Sequence, residues 1–229
     1  MTQPETQPQT QPETQPQAQP FRCFGTGDPL YERYHDTEWG RPVHGDAALY
    51  ERLSLEAFQS GLSWITVLRR REGFRAAFDG FDPHVVAGYG EADVERLLAD
   101  PGIVRNRRKV EATIANARAV VAMAERGEGL SELVWSFAPD PPPPAPRGPA
   151  DVPALTPAST ALSKALKAAG LRFTGPTTAY AAMQACGLVD DHLARCPARR
   201  APIGPTAQSR AAGGSTSRQQ NRPSERTPR

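Results

Sequence analysis

At 229 residues and a formal net charge of +2, the chain is long enough for one domain with a real core or for two small ones. Three cysteines, an odd number, argue against a disulfide scaffold and for a reducing compartment. No apolar stretch has the length of a signal-peptide core or a membrane span, so neither is expected.

Residues 1–20 repeat Thr-Gln-Pro without a large apolar side chain, and we expect them to be disordered because they cannot offset ordering entropy. From Ala198 to Arg229 there are seven Arg and one Glu, with Pro, Gly, Ser and Gln filling most of the rest, which reads as a disordered basic tail. Without these ends, residues 21–197 carry about −2, so the folded part is not basic. The tail suits loose phosphate binding and mere solubilisation equally.

Within 21–197 the apolar periodicity is helical. It predicts helices at 46–60, 64–70, 72–78, 83–87, 91–99, 106–126, 130–137, 157–169 and 177–185. Asp82-Pro83 and Thr156-Pro157 read as cap-plus-proline starts, and Gly61, Gly170 and Gly187 as stops. No alternating stretch competes, so the fold class is all-α. Six prolines between Asp140 and Pro149 predict an extended surface connector within the domain, over 139–149.

Four features carry chemistry. Cys23 and His35 open the folded part and His192 and Cys196 close it; two Cys and two His make a closed tetrahedral zinc set, against the alternative of a free thiol and surface histidines. In the helix expected to start with an Asp46 cap, roughly 100° per residue places Glu56 on one face with Leu49, Leu53, Ala57 and Ser60. A buried carboxylate needs a partner or a purpose, and Trp64 follows just beyond the Gly61 stop. Leu97 to Lys109 reads as helix, Pro-Gly turn, helix. Free amides at Gly102 and the side chains of Arg105, Arg107, Arg108 and Lys109 would suit DNA phosphates there, or the segment is an ordinary corner with a solvated basic face. Arg69-Arg-Arg71 is a second basic cluster.

Tyr34-His-Asp-Thr-Glu-Trp-Gly40 together with Leu53-Ser-Leu-Glu-Ala-Phe-Gln-Ser-Gly-Leu-Ser-Trp64 closely resembles the 3-methyladenine DNA glycosylase I family. So do Gly102-Ile-Val-Arg-Asn106, Val134-Trp-Ser-Phe137, Ala161 to Lys167 and Met183 to His192, in order, over about Arg22 to Cys196. The resemblance implies a helix-hairpin-helix glycosylase fold with the hairpin at 100–105, and one structural zinc per chain on Cys23, His35, His192 and Cys196. It implies Glu56 as the catalytic acid of the pocket, Trp64 as the stacking indole, Tyr34 and Trp39 as further base-binding aromatics, and Tyr31 and Gln59 as neighbours. It also implies a monofunctional enzyme that flips out and hydrolytically excises 3-methyladenine from double-stranded alkylated DNA, acting as a monomer in the cytoplasm. One departure stands out: the family often has a tryptophan soon after the first zinc cysteine, where this chain has Phe24-Gly25. Cys186 is expected to be a packed thiol. The rival readings are a zinc-stapled DNA-binding module without catalysis and a glycosylase of wider range that takes N7-alkylated purines.

Overall fold

A computed structural model describes residues 21–199; the expected disorder of 1–20 and the tail from 200 onward lie outside those residues. The described residues form ten α-helices and two short 3-10 turns and contain no strand, as the helical periodicity predicts. Arg199, assigned to the tail from sequence, still packs on the domain, donating to the carbonyls of Asp190 and His192 at 2.7 Å.

The first helix, α1 (Pro29–Thr37), is absent from the sequence prediction. Its start signal is the one recognised elsewhere, an Asp followed by Pro: the Asp28 carboxylate accepts from the Leu30 and Tyr31 amides. The segment is short and polar, so its periodicity is weak.

Helix α2 (Asp46–Gln59) lies at the centre, with every residue from Leu53 to Phe58 buried. A one-sided stripe is therefore too narrow a description, and Ser60, expected on the stripe, is exposed. Asp46 is not the cap. Gly45, at φ +90°, occupies that position, and Asp46 sits inside the helix with its carboxylate accepting the Ser131 amide at 2.8 Å. Gly61, at φ +83°, ends the helix as expected.

Two short helices follow, α3 (Trp64–Leu68) and α4 (Arg71–Ala77), then a 3-10 turn at Asp79–Phe81 and α5 (Pro83–Ala87). Phe58, Phe74, Phe78 and Phe81 are fully buried and pack ring to ring in sequence, with centroids 4.5 Å apart for the first, tilted pair and 5.4 Å for the last, stacked one. Each such ring contributes about 2–3 kcal/mol of apolar burial.

Helix α6 (Glu91–Ala99) turns through residues 100–106 into the long α7 (Arg107–Glu125), whose cap, Asn106, accepts the Lys109 amide. The turn is seated on α4: a Cβ on Gly73 would lie 2.6 Å from the Gly102 carbonyl oxygen, so only glycine permits the approach.

Helix α8 (Leu130–Trp135) leads into the proline-rich connector, in which Pro141–Pro144 are exposed and Pro146 is buried with its carbonyl accepting the Ala194 amide. Helices α9 (Pro157–Ala168) and α10 (Pro176–Ala185) pack together, and α10 lies on α2. A Cβ on Gly187 would lie 2.6–2.8 Å from the Arg41-Pro42 backbone, so glycine is required where the chain after α10 passes the segment that follows α1. No helix among the described residues is long and apolar enough to cross a membrane.

Candidate active site and metal centre

The chain's two ends meet at Cys23, His35, His192 and Cys196, whose ligand atoms all lie within 4.8 Å of one another. Cys196 Sγ is 3.6 Å from His35 Nε2 and 3.5 Å from His192 Nδ1, and Cys23 Sγ is 3.8 Å from His192 Nδ1. Metal bonds of about 2.0–2.3 Å directed to tetrahedral corners give edges of about 3.3–3.8 Å, which these three distances match. The surroundings support it. His35 Nδ1 faces the Asp36 carboxylate at 2.7 Å and His192 Nε2 faces the Trp39 carbonyl at 3.1 Å, leaving each histidine's other nitrogen turned inward. The Leu193 amide donates to Cys23 Sγ at 3.3 Å. Burial and the adjacent Cys196 push the Cys23 thiol up to about 11.

On the other side of α1 lies the inward acid. Glu56 is 6 % exposed and its carboxyl takes no hydrogen bond among the described residues; burial pushes it up to about 8, with Arg52 opposing. Tyr31 and Tyr34 both feel its charge, and burial with that charge pushes both phenols up. Tyr34 and Trp64 pack with ring centroids 5.2 Å apart. The Trp64 indole nitrogen is buried without a partner, as is one terminal nitrogen of Arg52. A carboxyl without donors and an indole without an acceptor, walled by aromatic rings, leave polar valences for a planar polar ligand to satisfy.

Glu56, Tyr31, Tyr34 and Trp64 thus come together as the sequence proposes. Trp39 sits differently: its ring makes edge contacts with His192 and Phe24 and stacks at 6.3 Å on His35, so it backs the metal centre. Phe24, in the segment that departs from the family pattern, packs 5.0 Å from Tyr31 and 6.5 Å from Tyr34. Cys186 is buried, and burial pushes it up to about 12. A cavity of about 730 Å³ lies elsewhere, under the connector between Pro143, Pro146, Tyr180 and Asp191, and none of the expected site residues lines it.

The hairpin departs from its expected set of DNA contacts in two places. Lys109 is buried, its ammonium donating to the Phe58 and Ser60 carbonyls at 2.8 and 2.7 Å. It caps the end of α2 and is withdrawn from any phosphate. The Gly102 amide is held by the Asp100 carboxylate at 2.7 Å and is not free. Arg107 is exposed but ringed by Glu91, Glu95 and Glu111. Arg105 and Arg108 are exposed.

Sequence reasoning missed two residues. Arg52 reads as an ordinary surface charge, yet its side chain is only 14 % exposed and pairs with Glu38 at 3.2 Å. Leu62 is 41 % exposed on the turn between Glu56 and Trp64; a large apolar residue beside a turn glycine was its only signal.

Comparison with known proteins agrees with this arrangement. The family model described as methyladenine glycosylase matches residues 24–200. DNA-3-methyladenine glycosylase 1 of Escherichia coli (strain K12) is 51 % identical over 170 residues, 74 % of this chain and 91 % of that protein. A crystal structure of 3-methyladenine DNA glycosylase I superposes with a TM-score of 0.76 at 49 % identity, covering 79 % of this chain and all of the other. A variant of 3-methyladenine DNA glycosylase I in complex with 3-methyladenine superposes at 0.74 and 35 % identity, over 79 % of this chain and 97 % of the other. The fold, the inward acid with its aromatic walls and these matches agree, and the chain belongs to the methyladenine glycosylase family.

Proposed function

We propose that this protein is a monofunctional DNA glycosylase that flips 3-methyladenine out of alkylated double-stranded DNA and releases it by hydrolysis, the first step of base excision repair. The observation that carries the reading is Glu56, a carboxyl buried without a hydrogen-bond donor beside Tyr34 and Trp64.

Methylation at N3 leaves the base cationic and therefore a good leaving group, so little acid catalysis is needed. The site has to extrude the nucleotide, select the damaged base and tolerate positive charge moving to the sugar. Trp64 and Tyr34 supply faces for stacking, worth about 1–3 kcal/mol per base. Glu56 accepts from the exocyclic amine and disfavours bases with a different edge. Leu62, apolar and exposed beside the site, suits the gap that an extruded base leaves in the stack. Attack by water fits the lysines: Lys109 is committed to α2, and Lys164 and Lys167 are exposed on α9, so none faces Glu56 to form a Schiff base.

Among the hairpin residues, Arg105 and Arg108 suit phosphate contact, with Arg107 offset by its glutamates. Gly102 serves the hairpin's seating on α4. We assign one zinc ion per chain to Cys23, His35, His192 and Cys196. Four protein ligands leave no open position, so the ion's contribution is structural, joining the ends of a helix-hairpin-helix domain. The protein acts as a monomer in the cytoplasm.

The test is incubation with methylated duplex DNA and chromatography of the freed base. Release of 3-methyladenine by the wild type and its loss in Glu56→Gln are expected; equal release by both would remove Glu56 from its role.

A further inference from the structure

Four charged side chains run in a line from α4 into the site: Arg71, Glu38, Arg52 and Glu56. Arg71 donates through both terminal nitrogens to the two oxygens of Glu38, which by itself neutralises that carboxylate. Arg52 adds a single bond to Glu38, and its other terminal nitrogen is buried with no partner. A second cation on an already balanced carboxylate is surplus to the packing of α1 against α2.

The surplus charge points to Glu56. Arg52 and Glu56 are four residues apart on α2, and such side chains stand one above the other on a helix, with Cβ atoms about 5–6 Å apart. Taken alone these four side chains balance when Glu56 is ionised; beyond them Arg71 reaches the exposed Glu72 at 3.9 Å, and Glu72 and Glu51 pair with Arg75, away from Arg52. The other groups that face Glu56 bring no cation: Tyr31 and Tyr34 from α1 are neutral phenols, and Cys186, following α10, is a neutral thiol. Trp64 is uncharged.

We propose that Arg52 is a positioning residue for base recognition: tethered to Glu38, it eases ionisation of the buried Glu56 carboxyl to the form that accepts hydrogen bonds from the methylated base, and so sets the pH range of base capture. This rests on the glycosylase reading. Glu38 keeps Arg52 from closing on Glu56, so the acceptor stays available while the field acts on it. The direction agrees with the site's electrostatics, in which burial raises Glu56 and Arg52 pulls it down.

The test uses the full chain with ¹³C-labelled glutamate carboxyls, the Glu56 signal being identified by its loss in Glu56→Gln. The variants are Arg52→Gln, which keeps a donor for Glu38 and drops the charge, and Arg52→Lys, which keeps the charge; Arg52→Met substitutes for the first should it fold poorly. Removing a neighbouring unit positive charge raises the Glu56 midpoint by about one pH unit. Affinity for free 3-methyladenine, read from tryptophan fluorescence, then falls about tenfold at pH 7 and recovers at higher pH. Arg52→Lys stays near the wild type. An unchanged Glu56 midpoint in Arg52→Gln overturns the proposal, as does a loss of affinity equal at every pH, which marks a merely structural role. A wild type that binds no 3-methyladenine at any pH overturns the glycosylase reading instead, and the carboxyl titration still decides the role of Arg52.

Discussion

The Lys109 ammonium donates to the Ser60 carbonyl at 2.7 Å and so joins the first turn of the hairpin's second helix to the end of the helix that carries Glu56. A second bond, to the Phe58 carbonyl, satisfies another of the carbonyls that α2 leaves open at its C-terminus. A cation at that pole also complements the helix dipole. The hairpin and the base site are therefore one mechanical unit.

Replacing Lys109 by Met should destabilise the protein by about 2 kcal/mol, because two charge-assisted bonds are lost and two carbonyls lose their partner, offset by relief of a buried ammonium. Thermal unfolding should show a fall of about 5 °C. The slope of DNA affinity against salt should stay as in the wild type, since Lys109 touches no phosphate, whereas Arg105→Ala should reduce that slope by about one. A reduced slope in the Lys109 variant would return it to the DNA surface.

The helices were legible because apolar side chains recur at helical spacing and Asp-Pro, Thr-Pro and Gly mark their ends. Helix α1 escaped because only Tyr34 and His35 of its nine residues are buried, too few to make a stripe. Glu56 was legible as an acid in apolar company, and Tyr34 and Trp64 through the family motifs. Lys109, Arg52 and Trp39 were misjudged or overlooked for a shared reason. Each is polar or amphipathic, and its role depends on which distant backbone or side chain it meets: Phe58 and Ser60, Glu38, and His35 with His192. Periodicity reports burial of a face, not the partner of a tip.

The candidate metal site joins residues near both ends of the domain, so loss of a bound ion should be felt globally. Metal analysis should find about one zinc per chain in the wild type and none in Cys196→Ser, and the variant's midpoint should fall by on the order of 10 °C, since binding energy at a structural site is folding energy. Prolonged chelation of the wild type should reproduce the shift. A metal-free protein of unaltered midpoint would show that Cys23, His35, His192 and Cys196 merely pack.

Leu62 lies on the turn that ends α2, between Glu56 and Trp64 in the chain, and is 41 % exposed. Truncation to Ala removes little buried surface, so thermal stability should stay within about 1 °C of the wild type. If the side chain fills the gap left by the extruded nucleotide, single-turnover base release from duplex DNA should slow roughly tenfold, with a smaller effect on single-stranded substrate, where no stack has to be held open. Equal slowing on both substrates would place Leu62 in base recognition instead.

Glu56 makes a prediction about stability that is independent of activity. Burial raises its pKa from 4.5 to about 8 in the folded protein, so between those values the folded state holds a proton that the unfolded chain releases. The associated stability is complete below pH 4.5, declines as pH rises toward 8 and is lost above it. Glu56→Gln mimics the protonated form at every pH. Its free energy of unfolding should match the wild type near pH 4, then exceed it by a margin that widens to about pH 8 and levels off there, on the order of 4 kcal/mol. The same variant should be the less active enzyme throughout. If Glu56 accepts hydrogen bonds from the base, a carboxyl that weakens the fold when ionised is what a binding site produces, because the missing hydrogen bonds are those the ligand supplies. A margin that does not vary with pH would mean that the carboxyl is solvated in the folded state.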